Sequence, residues 1–184
     1  MKIVLLGKLP KGDEARQSFV DWKKEFVDAI EAALPNASLL NGDLIRDDVG
    51  SELVVGHDLW MVKNADVVVV DAREKIGAGT AQEMVMAKYF KKPIVAVIPP
   101  DTPHRRSNLA FDGTVVEDWV HPFLEVSSDY VADDIEDAVV YLKKFSQGEI
   151  ESEVKDISVF DNTIAMFEEE LPRVLKKYRA QGWG

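Results

Sequence analysis

The 184-residue chain contains no cysteine, which excludes disulfide bonds, zinc–thiolate sites and a thiol nucleophile. It also has no apolar run approaching the roughly 18 residues of a membrane span. The first residues lack a signal-cleavage pattern. We therefore expect a soluble, cytoplasmic protein that has no membrane as a partner.

Basic residues are too few to balance the acidic ones, because 22 Lys and Arg face 33 Asp and Glu and leave a formal charge of −11. A nucleic-acid polymer needs a basic surface, so we expect none as partner. A small anionic ligand is still allowed, since one local pocket can oppose the global field. His57, His104 and His121 lack metal-ligand spacing, and no Rossmann or Walker loop is present. We expect neither a metal nor a cofactor.

Hydrophobic patterning predicts five short strands that alternate with helices. The predicted strands are residues 3–6, 38–40, 67–70, 94–98 and 123–126. The predicted helices are residues 13–33, 52–64, 80–91 and 133–145. Such alternation favours an α/β doubly wound parallel sheet, for which we choose the flavodoxin-like (Rossmann-like) order 2-1-3-4-5. Loops are predicted over residues 41–50 and 99–108.

The last part of the chain differs in composition from the part that precedes it. We assign residues 1–146 to one domain and residues 147–184 to an acidic linker with a C-terminal amphipathic helical extension. Pro172 lies within the apolar stripe of this extension, so the helix is expected to kink or restart there. The stripe is expected to be a packing or oligomer surface.

In the predicted strand order, the loops of residues 7–12 and 71–80 converge at the switch point, where ligands bind. Glu83 follows the second loop, and two interpretations of it stay open. It either forms a capping box with Thr80 or faces the pocket as a nucleophile. Asp58 lies next to the apolar stripe of Val55, Leu59 and Val62. It is either a solvated carboxylate or a general acid of the kind that glycosidases use.

Several other residues near the predicted switch point could contact a ligand, and for some of them a structural role is equally open. Asp71 ends a buried strand, where it could orient substrate hydroxyls or bind turn amides. Lys8 and Lys11 could contact a phosphate or be solvated loop lysines. Gly77 and Gly79 would let a substrate approach the backbone closely. Thr80 at a helix start would favour an anionic group.

Several segments together resemble the nucleoside 2-deoxyribosyltransferase family, which includes relatives that hydrolyse deoxynucleoside 5′-monophosphates. The segments are His57-Asp58-Leu59, residues 63–70, Gly79-Thr80-Ala81-Gln82-Glu83 and residues 91–97. The resemblance implies a flavodoxin-like fold, a glutamate nucleophile at Glu83 and proton transfer assisted by Asp58. It also implies a substrate loop at Gly7-Lys8-Leu9-Pro10 and a homodimer or higher homo-oligomer, with pockets completed by a neighbouring subunit.

Two departures from the family pattern leave the substrate open. Gly77 stands where the family's transferases carry an aspartate and its hydrolases often a serine, and Lys8-Leu9-Pro10 replaces the usual small or aromatic residues. The expected function is cleavage of the N-glycosidic bond of (deoxy)nucleosides or their 5′-monophosphates. The alternatives are a 5′-monophosphate N-hydrolase, a phosphoribohydrolase of the cytokinin-activating type, and a nucleotide-binding module without chemistry.

Overall fold

The computed structural model describes residues 1–40, 42, 45, 47–150 and 154–180 of the chain. Its strands are β1 (Lys2–Leu6), β2 (Ser38–Leu40), β3 (Val67–Asp71), β4 (Ile94–Val97), β5 (Arg105–Phe111), β6 (Thr114–Val120) and β7 (Tyr130–Ala132). Its α-helices are α1 (Gly12–Gln17), α2 (Lys23–Ala33), α3 (Ser51–Asn64), α4 (Ala78–Tyr89), α5 (Pro122–Ser127), α6 (Ile135–Ser146) and α7 (Ser158–Ala180).

Five parallel strands form the central sheet, in the order β2-β1-β3-β4-β7. The four valines of β3 are fully buried because helices cover both faces of the sheet. Val68 and Val70 pack in the core on the side of α3 and α4, and Val67 and Val69 pack on the side of α2 and α6. The flavodoxin-like, doubly wound fold is therefore confirmed, with its switch point between β1 and β3.

The fifth strand of the sheet is not where the sequence pattern placed it. Residues 123–126 lie in α5, which has Pro122 in its first turn, and the strand is β7 instead. Leu124 and Ser127 are buried whereas Phe123 is 74% exposed, which is a helical spacing and not an alternation. The apolar run was too short for its period to distinguish the two structures.

The last part of the loop predicted over residues 99–108 belongs to a β-hairpin that the sequence pattern did not predict. Strands β5 and β6 pair antiparallel and form a second, two-stranded sheet. Asp112 and Gly113 connect them with φ values of 48° and 83°. An Asp-Gly pair at positive φ is typical of a tight hairpin turn whose twist matches that of its strands.

The single helix predicted over residues 13–33 is two helices, α1 and α2. The interruption brings Trp22 to the loop after β1, where its indole N–H donates a 2.8 Å hydrogen bond to the carbonyl of Lys8. The Asp21 carboxylate accepts a hydrogen bond from the Lys23 amide as the second helix begins. The contact of Trp22 with the loop after β1 is therefore made at the expense of a continuous helix over residues 13–33.

Three smaller expectations met different outcomes. Val55 was predicted to face inward with Leu59 and Val62, but it is exposed, whereas Val62 is buried and Leu59 is half-buried. α7 runs without restarting through Pro172. Residues 41, 43, 44 and 46 of the predicted acidic loop lie outside the described residues, and a short 3-10 helix follows at Asp47–Val49. The boundary between residues 146 and 147 stays a prediction.

Within the part of the chain described here, no helix has both the length and the apolar character to span a membrane.

Candidate functional site

A cavity of about 360 Å³ lies beside the carboxyl end of β1 and the beginning of α4. Its volume is within the range of small-molecule sites. It is lined by eight residues that the sequence pattern or the family resemblance assigns to a site, namely Gly7, Lys8, Leu9, Asp58, Gly77, Gly79, Thr80 and Glu83. The switch point of the sheet thus brings together residues that are up to 76 positions apart in the chain, as the fold rule predicts.

Glu83 lies in the second turn of α4 and is half-buried in the wall of this cavity. Burial raises the pKa of Glu83 to about 7, and the negative charge of Asp58 adds to the increase. Lys11, which lines the same cavity, opposes it. Glu83 therefore changes its charge close to neutral pH, which is typical of functional carboxyl groups but also occurs in structural ones.

Asp58 projects from α3 into the same cavity and is held by its neighbour in the chain. Its Oδ1 lies 3.0 Å from Nδ1 of His57, whose side chain is almost fully buried. The two atoms share one proton, which Nδ1 donates when Asp58 is ionised and which Oδ1 donates when Asp58 carries it. The buried Nε2 of His57 has no hydrogen-bond partner among the described residues. Spacing along the chain tests His57 only as a metal ligand and does not predict its contact with Asp58.

Thr80 does not form the capping box that the sequence pattern allowed. The helix begins two residues earlier, at Ala78, with Gly77 as its N-cap residue and without a side-chain cap. Thr80 is buried, and its hydroxyl donates a 3.3 Å hydrogen bond to the carbonyl of Gly7. The contact joins α4 to the loop after β1, so the reciprocal contact between Thr80 and Glu83 is replaced by one that shapes the cavity.

The predicted glycines of the cavity differ in whether packing requires glycine at their positions. A Cβ atom on Gly7 would lie only 2.5 Å from the ring of Trp22, so the indole can cover this loop only if no side chain is present. A Cβ atom on Gly77 or Gly79 would meet nothing within 4 Å. These two positions therefore leave open volume beside Glu83 and are not required by packing.

Asp71 does not line this cavity, and neither does Pro10 of the predicted substrate loop. The carboxylate of Asp71 accepts hydrogen bonds from Nε of Arg73 at 2.9 Å and from Nη2 at 3.1 Å. It lines a neighbouring cavity of about 580 Å³ that shares Lys8 and Trp22 with the first. Arg73 also donates to Glu25 at 2.7 Å and lies over the ring of Phe26. The Asp71 carboxylate therefore forms an ion pair with Arg73 that has a structural role.

The structure adds residues that the sequence analysis did not assign to the site. Trp22, Lys23 and Met61 line the cavity, as does Lys11, for which the sequence leaves open a phosphate contact or a solvated loop position. Trp22 falls on the apolar face of the helix predicted over residues 13–33, so its pattern indicates core packing. Among the described residues, no group of His, Asp and Glu side chains could hold a metal ion.

Comparisons with known proteins give a fold and no family. No protein-family model matches the sequence, and no curated protein does. A conserved protein from Enterococcus faecalis V583 is similar in structure at 18% identity, with a TM-score of 0.52 over 78% of this chain and 98% of that one. The CMP N-glycosidase BcmB of Clostridium botulinum aligns at 13% identity, with a TM-score of 0.45 over 79% of this chain and 99% of that one. At these identities the Enterococcus faecalis protein shares the fold with this chain, and the likeness says nothing of chemistry.

Proposed function

We propose that this protein cleaves the N-glycosidic bond of (deoxy)nucleosides or of their 5′-monophosphates. The observation that carries the proposal is that Glu83 and Asp58 line one cavity at the switch point, with the pKa of Glu83 raised to about 7. A pair of carboxyl groups in different environments is the arrangement that glycoside cleavage requires. The segments around Asp58 and Glu83 resemble those of nucleoside 2-deoxyribosyltransferases, and this resemblance is the reason for proposing the N-glycosidic bond as the one that is cleaved.

In the proposed reaction, the Glu83 carboxylate attacks the anomeric carbon of the sugar. A carbon–oxygen bond forms as the carbon–nitrogen bond to the base breaks, and Asp58 in its protonated form delivers to the departing base the proton that it shares with His57. The product is a glycosyl ester on Glu83. A second base then takes the sugar in a transferase, whereas water takes it in a hydrolase. In both cases the incoming base or water gives up a proton to Asp58 as the ester bond to Glu83 breaks, which restores the Glu83 carboxylate.

The position of Glu83 supports the role of nucleophile. A half-buried carboxylate is poorly hydrated, so less solvent has to be displaced when it attacks. A raised pKa also suits a proton donor, and the exchanged assignment has Asp58 as the ionised partner. The two assignments differ in which side chain carries the sugar in the intermediate.

A specific observation favours 5′-monophosphates as substrates, and with them the hydrolase alternative. Lys8, Lys11 and Lys23 line the cavity that contains Glu83, although the chain as a whole carries a formal charge of −11. A phosphate bound there would meet positive charge close to the two acids. Nucleosides lack this group, so they would bind less tightly.

The test is to incubate the full chain with deoxynucleosides, ribonucleosides and their monophosphates, with and without a free acceptor base, and to measure base release by chromatography. Acid quenching within the first turnover, followed by peptide mass spectrometry, should find the sugar on Glu83. Glu83→Gln and Glu83→Ala should lose at least a thousandfold in rate, a typical loss for an essential group. Glu52→Gln, a neutralised acid on the exposed part of α3, is the matched control and should keep full activity.

Three outcomes would contradict the proposal. The first is that the wild-type protein releases no base from any compound of the panel. The second is that Glu83→Ala retains full turnover. The third is tight nucleotide binding with an intact glycosidic bond after long incubation, which would favour a nucleotide-binding module.

A further inference from the structure

The apolar residues of α7 repeat with the spacing of a coiled coil. Their separations alternate between four and three residues, which is the a/d pattern of a heptad repeat. The residues of this stripe are Phe160, Ile164, Phe167, Leu171, Val174 and Tyr178. Pro172 lies outside the stripe, so it does not interrupt the surface that a partner helix would contact.

Half of the residues of this stripe are exposed. All residues of α7 are described, and none of them is buried. Ile164 is 57% exposed, Phe167 53% and Tyr178 49%. Phe160, at the beginning of the helix, lines a cavity between α4 and α5 and so packs against the body of the molecule. Leu171 and Val174 are half-buried, so the stripe that begins at Ile164 is only partly covered within the described part of the chain.

Charges along α7 are separated by sign. Four acidic residues come first, Asp161, Glu168, Glu169 and Glu170, and four basic residues follow, Arg173, Lys176, Lys177 and Arg179. The helix is thus neutral, and the formal charge of −11 lies wholly outside it. Two copies of this chain repel each other over the rest of their surfaces but not at α7. An antiparallel pair places the acidic half of one helix against the basic half of the other, whereas a parallel pair opposes like charges.

We propose that α7 pairs antiparallel with α7 of a second copy of this chain. One register satisfies both the stripe and the charges, with Phe167 opposite the partner's Tyr178 and Leu171 opposite the partner's Val174. In that register Glu170 lies beside the partner's Lys177, twice per dimer, while Phe160 stays against its own body. A register moved by one heptad would cover Phe160 as well, but it would bring Glu168 and Glu170 next to their own copies.

The first experiment measures the mass of the full chain in solution by sedimentation, from about 1 to about 100 µM, a range in which a moderate dimer dissociates on dilution. The wild type should be a dimer at the upper end. Phe167→Glu should be at least tenfold weaker in dimerisation. Met166→Glu, a neighbouring exposed apolar residue outside the stripe, is the matched control and should dimerise like the wild type. A wild type that is monomeric throughout, or a dimer that tolerates Phe167→Glu, would overturn the proposal.

The second experiment tests the register through charge reversal. Glu170→Lys or Lys177→Glu alone should weaken the dimer about tenfold, because each places like charges side by side across the interface. The double variant should restore it. Glu170 also pairs with Arg173 in its own helix at 2.8 Å, but loss of that pair cannot be restored by Lys177→Glu. Glu169→Lys, which reverses a charge on the outer face, should change little. A double variant as weak as the single ones would overturn the register.

The third experiment uses the absence of native cysteines. In the proposed register, a mixture of Phe167→Cys and Tyr178→Cys chains should form a mixed disulfide under mild oxidation. Phe167→Cys chains alone should not, because their two thiols would be about 16 Å apart along the helices. Rapid crosslinking of Phe167→Cys alone would indicate a parallel pair and would overturn the orientation.

Discussion

Glu83 and Asp58 share one cavity but differ in how each is held. Glu83 is half-buried on α4, and no hydrogen bond to its carboxylate compensates the loss of hydration within the described structure. Asp58 shares a hydrogen bond with Nδ1 of His57 at 3.0 Å. Burial penalises the charged form of Glu83, whereas the contact with His57 fixes the position of the Asp58 carboxyl group. In the proposed reaction, the poorly hydrated Glu83 attacks the sugar and the positioned Asp58 transfers the proton.

The pH dependence of the reaction should report the ionisation of Glu83. If Glu83 is the nucleophile, kcat/KM should rise as the pH increases through about 7, because only the ionised carboxylate attacks. Asp58→Asn removes a like charge and should lower the pKa of Glu83, so the rise should move to lower pH in the slower variant. Initial rates at low substrate concentration measure this. A rate that falls as the pH increases through 7 would identify Glu83 as the proton donor instead.

His57 should act on the reaction through Asp58. His57→Leu removes the N–H that orients the carboxylate, and we expect kcat to fall roughly 10- to 100-fold with little change in KM. His57→Asn keeps a donor near the position of Nδ1 and should recover most of the loss. Steady-state kinetics of the two variants measure the contrast. Equal activity of both would show that the contact has no part in proton transfer.

At the scale of elements, α4 is attached to its surroundings by a buried ion pair. Lys88, in the last turn of α4, is fully buried and contacts the carboxylate of Asp129. Asp129 also accepts hydrogen bonds from the amides of Ile94 at 2.6 Å and Lys155 at 2.7 Å. Burial lowers the pKa of Lys88, and Asp129 opposes that effect. One carboxylate thus joins α4, β4 and the segment that precedes α7.

Breaking this pair on one side should destabilise the fold strongly. Lys88→Met leaves Asp129 buried without its cation, and we expect the free energy of unfolding to fall by about 3–5 kcal/mol. Lys88→Met combined with Asp129→Asn removes both charges and should cost less than Lys88→Met alone. Urea denaturation of the two variants and of Asp129→Asn gives the coupling energy. Strictly additive losses would mean that the two side chains do not interact.

At the scale of the whole molecule, the raised pKa of Glu83 links stability to pH. Its pKa is near 4.5 in the unfolded chain and about 7 in the fold, so the folded state binds the proton more tightly. Stability is therefore lost as the pH rises between these two values, and the loss is complete above about 7.

Glu83→Gln, which cannot ionise, should gain stability relative to the wild type as the pH rises. From about pH 5.5 to about pH 8.5 the difference in unfolding free energy should grow by about 2 kcal/mol. Urea denaturation at several pH values measures it, with Glu52→Gln as the exposed control that should show no such trend. A difference that is independent of pH would show that the pKa of Glu83 is ordinary.

The hydrophobic periodicity of the sequence was sufficient to predict the elements that have a clear apolar pattern. The valines of β3 and the apolar spacing of α6 predict these elements because burial on both faces, or along one helical stripe, leaves a direct mark on the residue order. It failed where tertiary contacts compete with local preference. Trp22 interrupts a helix to cover Gly7, and the short run at residues 123–126 becomes α5 because its burial follows a helical period.

The sequence by itself determined the layered fold, four of the five strands of the sheet and, once the flavodoxin-like order is chosen, the convergence of the Gly7 loop with the segment that carries Glu83. These follow from hydrophobic period and from the handedness of crossover connections, which are properties of chain order. Only the tertiary structure decided that Thr80 binds the Gly7 carbonyl, that Asp71 is used by Arg73 and that His57 holds Asp58. Each of these contacts requires a donor to lie within 3.3 Å of its acceptor. The spacing of residues along the chain does not predict such distances.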